Sequence, residues 1–315
     1  MKTAGWWRSA ALLGWLAAAP AATASGVLVL EGDVRATAPE GGPADAGVHA
    51  AAAGLRHTFA DAAGDRLILY GLAEAREDFD DLMLHELYAR YKGPLGAWNV
   101  TAGRFRPPFG LLTGFASDRL LFHTVEERTL GFDADDGLML SGQVGDWDYG
   151  LAATQGLGPH RDPDWPGPGL LTGRIGATLG ESGDASLGLS LAAGRSRIAH
   201  HAGMETDVPR RLAALDATLY RGRATVRLET SAGSLDRAAL AAAYAALDFA
   251  VRPQWELNAA GSLVRQAGES ADAWFLGLTF RPTWLTIRGG YRYAHEAAPH
   301  HRFTAQLYRL FALPY

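Results

Sequence analysis

The residue pattern that most limits the fold is a period of two, kept up almost to the last residue. The closing run Phe303-Thr304-Ala305-Gln306-Leu307-Tyr308-Arg309-Leu310-Phe311-Ala312-Leu313-Pro314-Tyr315 brings an apolar or aromatic side chain to nearly every second position. A strand with two unlike faces has this period, whereas a helix would bring positions i and i+4 together. Sixteen segments of this kind are predicted, at roughly 27–36, 48–59, 66–76, 82–92, 97–105, 137–144, 147–156, 170–179, 185–194, 210–220, 223–231, 238–251, 255–265, 272–281, 284–294 and 302–315. In the third, Leu67, Leu69, Gly71, Ala73 and Ala75 oppose Arg66, Tyr70, Glu74 and Arg76. In the fourth, Met83, Leu87, Ala89 and Tyr91 oppose Glu86, Tyr88, Arg90 and Lys92. The alanine-rich stretch 237–251 also admits a helix, but Tyr244 and Asp248 opposing Leu247, Phe249 and Val251 favours a strand.

The connections alternate between short and long. Gly145-Asp146, Arg221-Gly222 and Pro282-Thr283 are tight, while Arg106–Asp136, Leu157–Gly169, Arg195–Pro209 and His295–His301 are longer. Tight turns at one end and long loops at the other are the rhythm of a transmembrane antiparallel β-barrel. The expected fold is therefore all-β: a barrel of about 16 strands whose last strand closes against its first. Trp98, Trp147, Trp255 and Trp284 each follow a short turn, at the level where an indole sits half in lipid and half in water. Trp284 and Arg309 fall on unexpected faces, the first toward the lumen and the second toward lipid.

Residues 1–24 read as an export signal. Lys2 and Arg8 supply positive charge, Ala10–Leu16 is a short apolar core, and Ala22-Thr23-Ala24 is a small-residue cleavage site. The mature barrel would then be 25–315. Losing two positive charges and no negative ones takes the net charge from −5 to −7, which disfavours nucleic acid as a partner. Cysteine is absent, so neither disulfides nor covalent c-type haem is available, and no cofactor or metal site is expected. The remaining lysine is Lys92, against a large excess of arginine. Outer-membrane lipid and small polar or ionic solutes are the expected partners.

The segment Gly103-x-Phe105-x-x-Pro108-Phe109-Gly110 resembles that of the phosphate-selective porin (O and P) family. Glu126-Glu127-Arg128, Asp136-Gly137 and Trp147-Asp148-Tyr149 are similar in order and spacing. The specific likeness covers about 90–156. It implies a sixteen-stranded trimeric porin whose third loop, here 106–136, enters and narrows the channel. The paired prolines independently require the chain to leave the wall, because they remove ladder donors. The pore lysines of the family are missing, so phosphate is not carried over.

The pore-lining or constriction candidates are Arg66, Arg76, Arg90, Lys92, Arg104, Arg106, Asp118, Arg119, Glu126, Glu127, Arg128, Arg174, Arg227 and Arg288. Arg104 and Arg106 share the lipid parity of Trp98. They reach the lumen only if Gly103 makes a bulge or the strand has ended. The leading reading is a passive diffusion channel with no enzymatic activity. A second is a barrel sheathing a partner such as a periplasmic multihaem cytochrome, for which the small inward residues Gly150, Ala152, Gly176, Gly188 and Ala192 leave room. A third is a lipid hydrolase built on His85, which the alternation puts on the lipid face.

Overall fold

The computed structural model describes residues 23–62, 64–115, 120–159, 166–199, 205–295 and 299–315. Sixteen strands follow one another: β1 (Thr23–Pro39), β2 (Asp45–Asp61), β3 (Gly64–Arg76), β4 (Asp81–Lys92), β5 (Asn99–Phe105), β6 (Asp135–Val144), β7 (Trp147–Thr154) and β8 (Leu170–Leu179). Then come β9 (Ala185–Ala199), β10 (Glu205–Arg221), β11 (Ala224–Leu235), β12 (Ala238–Arg252), β13 (Trp255–Gln266), β14 (Glu269–Phe280), β15 (Thr286–His295) and β16 (Pro299–Pro314). Each pairs antiparallel with its chain neighbours, and β1 pairs with β16, so the sheet is a closed barrel. Closure continues past the ladder. Gly26 N–H donates to the Tyr315 carbonyl at 3.0 Å, and Tyr315 N–H donates back to Gly26 at 2.9 Å. The Tyr315 ring lies where a side chain at position 26 would be, and its hydroxyl is 3.2 Å from His57 Nδ1.

The alanine-rich segment is a strand, because its even positions (Leu240, Ala242, Tyr244) face a packed interior. β9 and β10 are longer than their alternation suggested. Ser196–Ala199 pairs with Glu205–Val208, so strand takes up much of the predicted loop 195–209, of which 200–204 lie outside the described residues. β15 begins at Thr286. Trp284 therefore sits in the turn before it, where strand parity does not apply.

Two bulges revise the predicted faces. Between β1 and β2, Asp33 pairs Ala50 and Val34 pairs Val48, leaving His49 without a counterpart. Between β3 and β4, Leu72 pairs Glu86 and Ala73 pairs Leu84, leaving His85 over. An extra residue reverses the alternation on one side of it. Met83 and His85 consequently point inward and are buried, against the expectation that both face lipid. The hydrolase reading loses its premise, since His85 is 0% exposed.

The outer surface carries Leu87, Leu140, Leu151, Leu191, Leu215 and Leu276, all exposed, with Trp98, Trp147 and Trp255 near the short turns. Arg309 reaches toward the same end, its Nη1 donating to the Thr283 carbonyl at 3.3 Å while the guanidinium lies over the Phe311 ring. It thereby keeps its charge at the turn level, as a snorkelling arginine does. No helix among the described residues is long and apolar enough to cross a membrane, which leaves crossing by strands open.

Leu276 lies mid-strand on the outer face and is 64% exposed, whereas Ser262 lines an interior cavity. In lipid vesicles Leu276→Arg is expected to lose about 2–4 kcal/mol of folding stability, and Ser262→Arg far less. Urea titrations of refolded protein would read the difference, and equal losses would refute an outward lipid face.

Candidate functional site

The segment between β5 and β6 runs through the barrel interior. Gly103 has φ +119°, and a methyl group there would overlap the Leu87 carbonyl oxygen, so β4 and β5 approach closely only without a side chain. Phe105 is buried against Met139 and Ala152. Pro108 lies over Gly150, where a Cβ would come within 2.7 Å of the proline ring. Gly110 then opens a single 3-10 turn, Gly110–Thr113, whose free N–H groups point at the far wall. Gly110 N–H donates to Ser190 Oγ at 3.0 Å, and Leu111 N–H donates to Glu229 Oε2 at 2.9 Å. Gly110 has φ +54°, and a Cβ there would lie 2.6 Å from the Glu229 carboxylate.

Apolar packing holds the rest. Phe109, Leu112, Leu130 and Phe132 pack with Leu212, Leu235 and Leu240 of β10–β12. Leu111, Phe122 and Val125 pack with Tyr244, Ala273 and Ala294. Each such side chain contributes about 1.5–3 kcal/mol when fully buried. The segment is thus attached mainly to one side of the wall.

The end of the segment is anchored at His85. Nδ1 is 3.1 Å from Glu74, and Nε2 is 2.9 Å from Asp133 Oδ2. Only an imidazolium carries a proton on both ring nitrogens. Burial opposes charge on Asp133, but contact with His85 prevails and holds its carboxyl well below the usual carboxylate range. Arg76 caps the other Glu74 oxygen at 2.8 Å. Asp135 secures the next connection by accepting from Gly156 N–H at 2.6 Å and from Leu157 and Gly158 at 3.3 Å.

Several of the wall arginines are bridged to acids, and others are held by neutral side chains. Arg174 reaches Asp148 at 2.6 Å and Asp216 at 2.8 Å. Arg227 pairs with Asp248, which also accepts from Asn258 at 2.6 Å. Arg288 donates to Gln306 at 2.7 Å, and Gln306 donates to Asp33 at 2.7 Å. Arg106 pairs with Glu86 at 3.1 Å inside the barrel, since β5 has already ended. Arg104 stays at the strand end, donating to Asp136 at 2.7 Å and to the Leu84 and Pro159 carbonyls at 2.9 Å. Arg90 lies over the Tyr88 ring and donates to Thr101 at 3.1 Å. Arg66 pairs with Asp61 and Lys92 with Asp65, both near the end of β2 and the start of β3. Arg128 lines a cavity of about 650 Å³. Glu126 and Glu127 open the short helix α1 (Glu126–Thr129), and their side chains are outside the described set. Asp118 and Arg119 lie outside the described residues altogether.

The small inward residues serve the chain's own groups. A Cβ at Gly176 would meet Asp148 and Arg174, and one at Gly188 would meet Arg174 and Asp216. Gly150 accommodates Pro108, and Ala192 lies in the cluster around Phe109. The space that motivated a sheathed partner is therefore occupied from within. Among the described residues, open volume beside the inward segment includes three cavities. A cavity of about 650 Å³ includes Arg35, His49, His123, Arg128, Arg292 and Arg302 with Asp45, Glu77, Asp78 and Asp272. One of about 240 Å³ has three arginines (Arg90, Arg106, Arg174) against two acids (Glu86, Asp148). One of about 210 Å³ has three (Arg227, Arg281, Arg288) against two (Asp248, Glu256). Among the described residues no group of acids and histidines could hold a metal ion.

Against solved structures, the barrel is similar to that of in-vitro folded OmpT of Vibrio cholerae in its trimer form, with a TM-score of 0.68 and 14% identity, covering 93% of this chain and 100% of that one. It is also similar to an anion-selective porin from Comamonas acidovorans (TM-score 0.67, 13% identity, 92% and 100% covered). A third is the outer membrane protein OpdK from Pseudomonas aeruginosa (TM-score 0.57, 11% identity, 93% and 99% covered). The fold is that of a porin-type outer-membrane barrel. No family model matches the chain, and no curated relative does.

Sequence reasoning missed Ser190 and Glu229 as the receptors for the inward segment, and it missed His85 as its anchor. Glu229 was legible only as an acid among inward arginines, because its partner lies 118 residues away. Glu229→Ala is expected to expose the Leu111 amide, raising its hydrogen exchange at least tenfold while distant strand amides stay protected. Gly103→Ala is expected to abolish the heat-modifiable folded band on a gel, since the clash is with backbone.

Proposed function

We propose that this chain is an outer-membrane porin, a passive channel for small polar or ionic solutes. The observation that carries the reading is a closed sixteen-stranded barrel whose interior holds charged, arginine-rich cavities beside an inward segment. Barrels of this strand number are wide enough for an aqueous path. The inward segment 106–136 acts as the constriction, and the arginines beside it filter by charge. No catalytic step is required, and the protein is not an enzyme. Residues 1–24 act as a cleaved export signal, so the mature chain begins at Ser25.

Each of the two smaller cavities carries one more arginine than acid, which supports a modest preference for anions. The lysine-poor lumen gives no support for phosphate as the particular solute, so the resemblance to the phosphate-selective family extends to the loop motif and not to its selectivity. A homotrimer is proposed on the description of OmpT in a trimer form, and outer-membrane lipid would then surround the assembly.

Purified, folded protein in a planar bilayer is expected to give stepwise conductance in potassium chloride. Under a salt gradient its reversal potential should correspond to a few-fold preference for chloride over potassium. A well-folded sample that passes no current would overturn the channel, and a cation-favouring reversal would overturn the charge assignment.

A further inference from the structure

We propose that the channel has a binding subsite for small aromatic monocarboxylates, in the cavity of about 210 Å³ between the inward segment and β11–β15. The inference rests on the porin reading and names a solute class within it.

Two unlike walls meet in this cavity. One is aromatic, with Phe115 and Phe122 from the inward segment and Tyr244 and Phe275 from β12 and β14. The Phe122 centroid lies 5.9 Å from that of Phe275 and 6.3 Å from that of Tyr244, within the range of direct ring contact. Phe275 rests on Gly277 and Gly290, where a side chain would collide with its ring. The two glycines let the ring lie along the barrel wall. Phe115 and Phe275 are only half-buried, so they keep surface toward the open volume while Phe122 seals the packing behind them.

The other wall is cationic. Arg227 and Arg288 line it, and the Arg227 guanidinium stacks 4.1 Å over the Phe115 ring. A guanidinium held face-on by an aromatic ring and edge-on by Asp248 has a fixed plane, and its remaining edge suits a carboxylate. With three arginines against two carboxylates, the site favours one negative charge over none or several. A polar diffusion path needs no half-exposed rings, which cost free energy against water. A solute with an aromatic body and one carboxylate would cover them while meeting the arginines. The cavity is smaller than the pockets that hold drug-sized ligands, which favours a single-ring acid over a larger solute.

The test is planar-bilayer electrophysiology on the whole protein, with benzoate and acetate as probes in a potassium chloride background. Benzoate is expected to reduce the chloride current at concentrations at least tenfold below those at which acetate does. Phe275→Ala should bring the two acids within twofold of each other. Arg227→Gln should weaken block by both acids while leaving benzoate the better blocker. Phe115→Leu, which keeps apolar volume and so guards against simple loss of fold, should also reduce the benzoate advantage. Equal block by benzoate and acetate in a channel that conducts potassium chloride would overturn the subsite and leave the porin reading intact. Absence of any chloride current from folded protein would overturn the porin reading itself.

Discussion

Closure of the β1–β16 ladder is the constraint from which the rest follows. In a bilayer each unpaired backbone N–H or C=O costs several kcal/mol, so a sheet there has no tolerable edge. Joining the ends satisfies the backbone but leaves a wide interior whose side chains must be hydrated or must find one another. The chain uses both solutions. Toward β9–β12 the lumen is filled by its own segment, packed through Phe109, Leu112, Leu130 and Phe132. A second apolar cluster joins the segment to Tyr244, Ala273 and Ala294, and the cavities beside it are lined by charged side chains as well as rings.

The arginine excess has a structural reason as well as an electrostatic one. Arg174 spans two carboxylates on strands that are not adjacent, β7 and β10, and a planar fork with five donors can do this where an ammonium cannot. The glycines on β8 and β9 make room for that bridge. Arginine, acid and glycine therefore form one unit, and the acids in the wall are partners of the arginines more than independent charges. In each of the two smaller cavities a surplus of one arginine is left over.

The strands were legible because period-two alternation is a local signal that survives without knowledge of partners. So was the exit of the chain at Pro107-Pro108, which follows from lost donors. What the alternation could not reveal is a residue that belongs to neither face. His85 sits between two correctly read halves of β3 and β4, yet the extra position moves Met83 and His85 from lipid to interior. The candidate site was less legible for a related reason. Glu74, His85 and Asp133 are brought together from two strands and the inward segment, and nothing in their spacing announces an imidazolium between two carboxylates. Arg104 and Arg106 show the same limit. They are two residues apart on one parity, but the strand ends between them, so one pairs with Asp136 at the strand end and the other enters the lumen.

The attachment of the inward segment also determines where a solute can go. Its first turn is tied to Ser190 and Glu229 on β9 and β11, and its end is tied to His85 on β4, so it crosses the barrel between two fixed points. Crossing divides the lumen. One compartment lies toward β4–β8, beside Arg90, Arg106 and Arg174; another lies toward β11–β15, beside Arg227 and Arg288. The cavity of about 650 Å³ adjoins the latter through shared residues, Leu121, Phe122 and Phe275. The wide cavity thus opens past Phe122 and Phe275 rather than toward Pro108. The two anchors and the aromatic character of this side are consequences of one placement: the segment that carries Phe115 and Phe122 is held where those rings meet Tyr244 and Phe275.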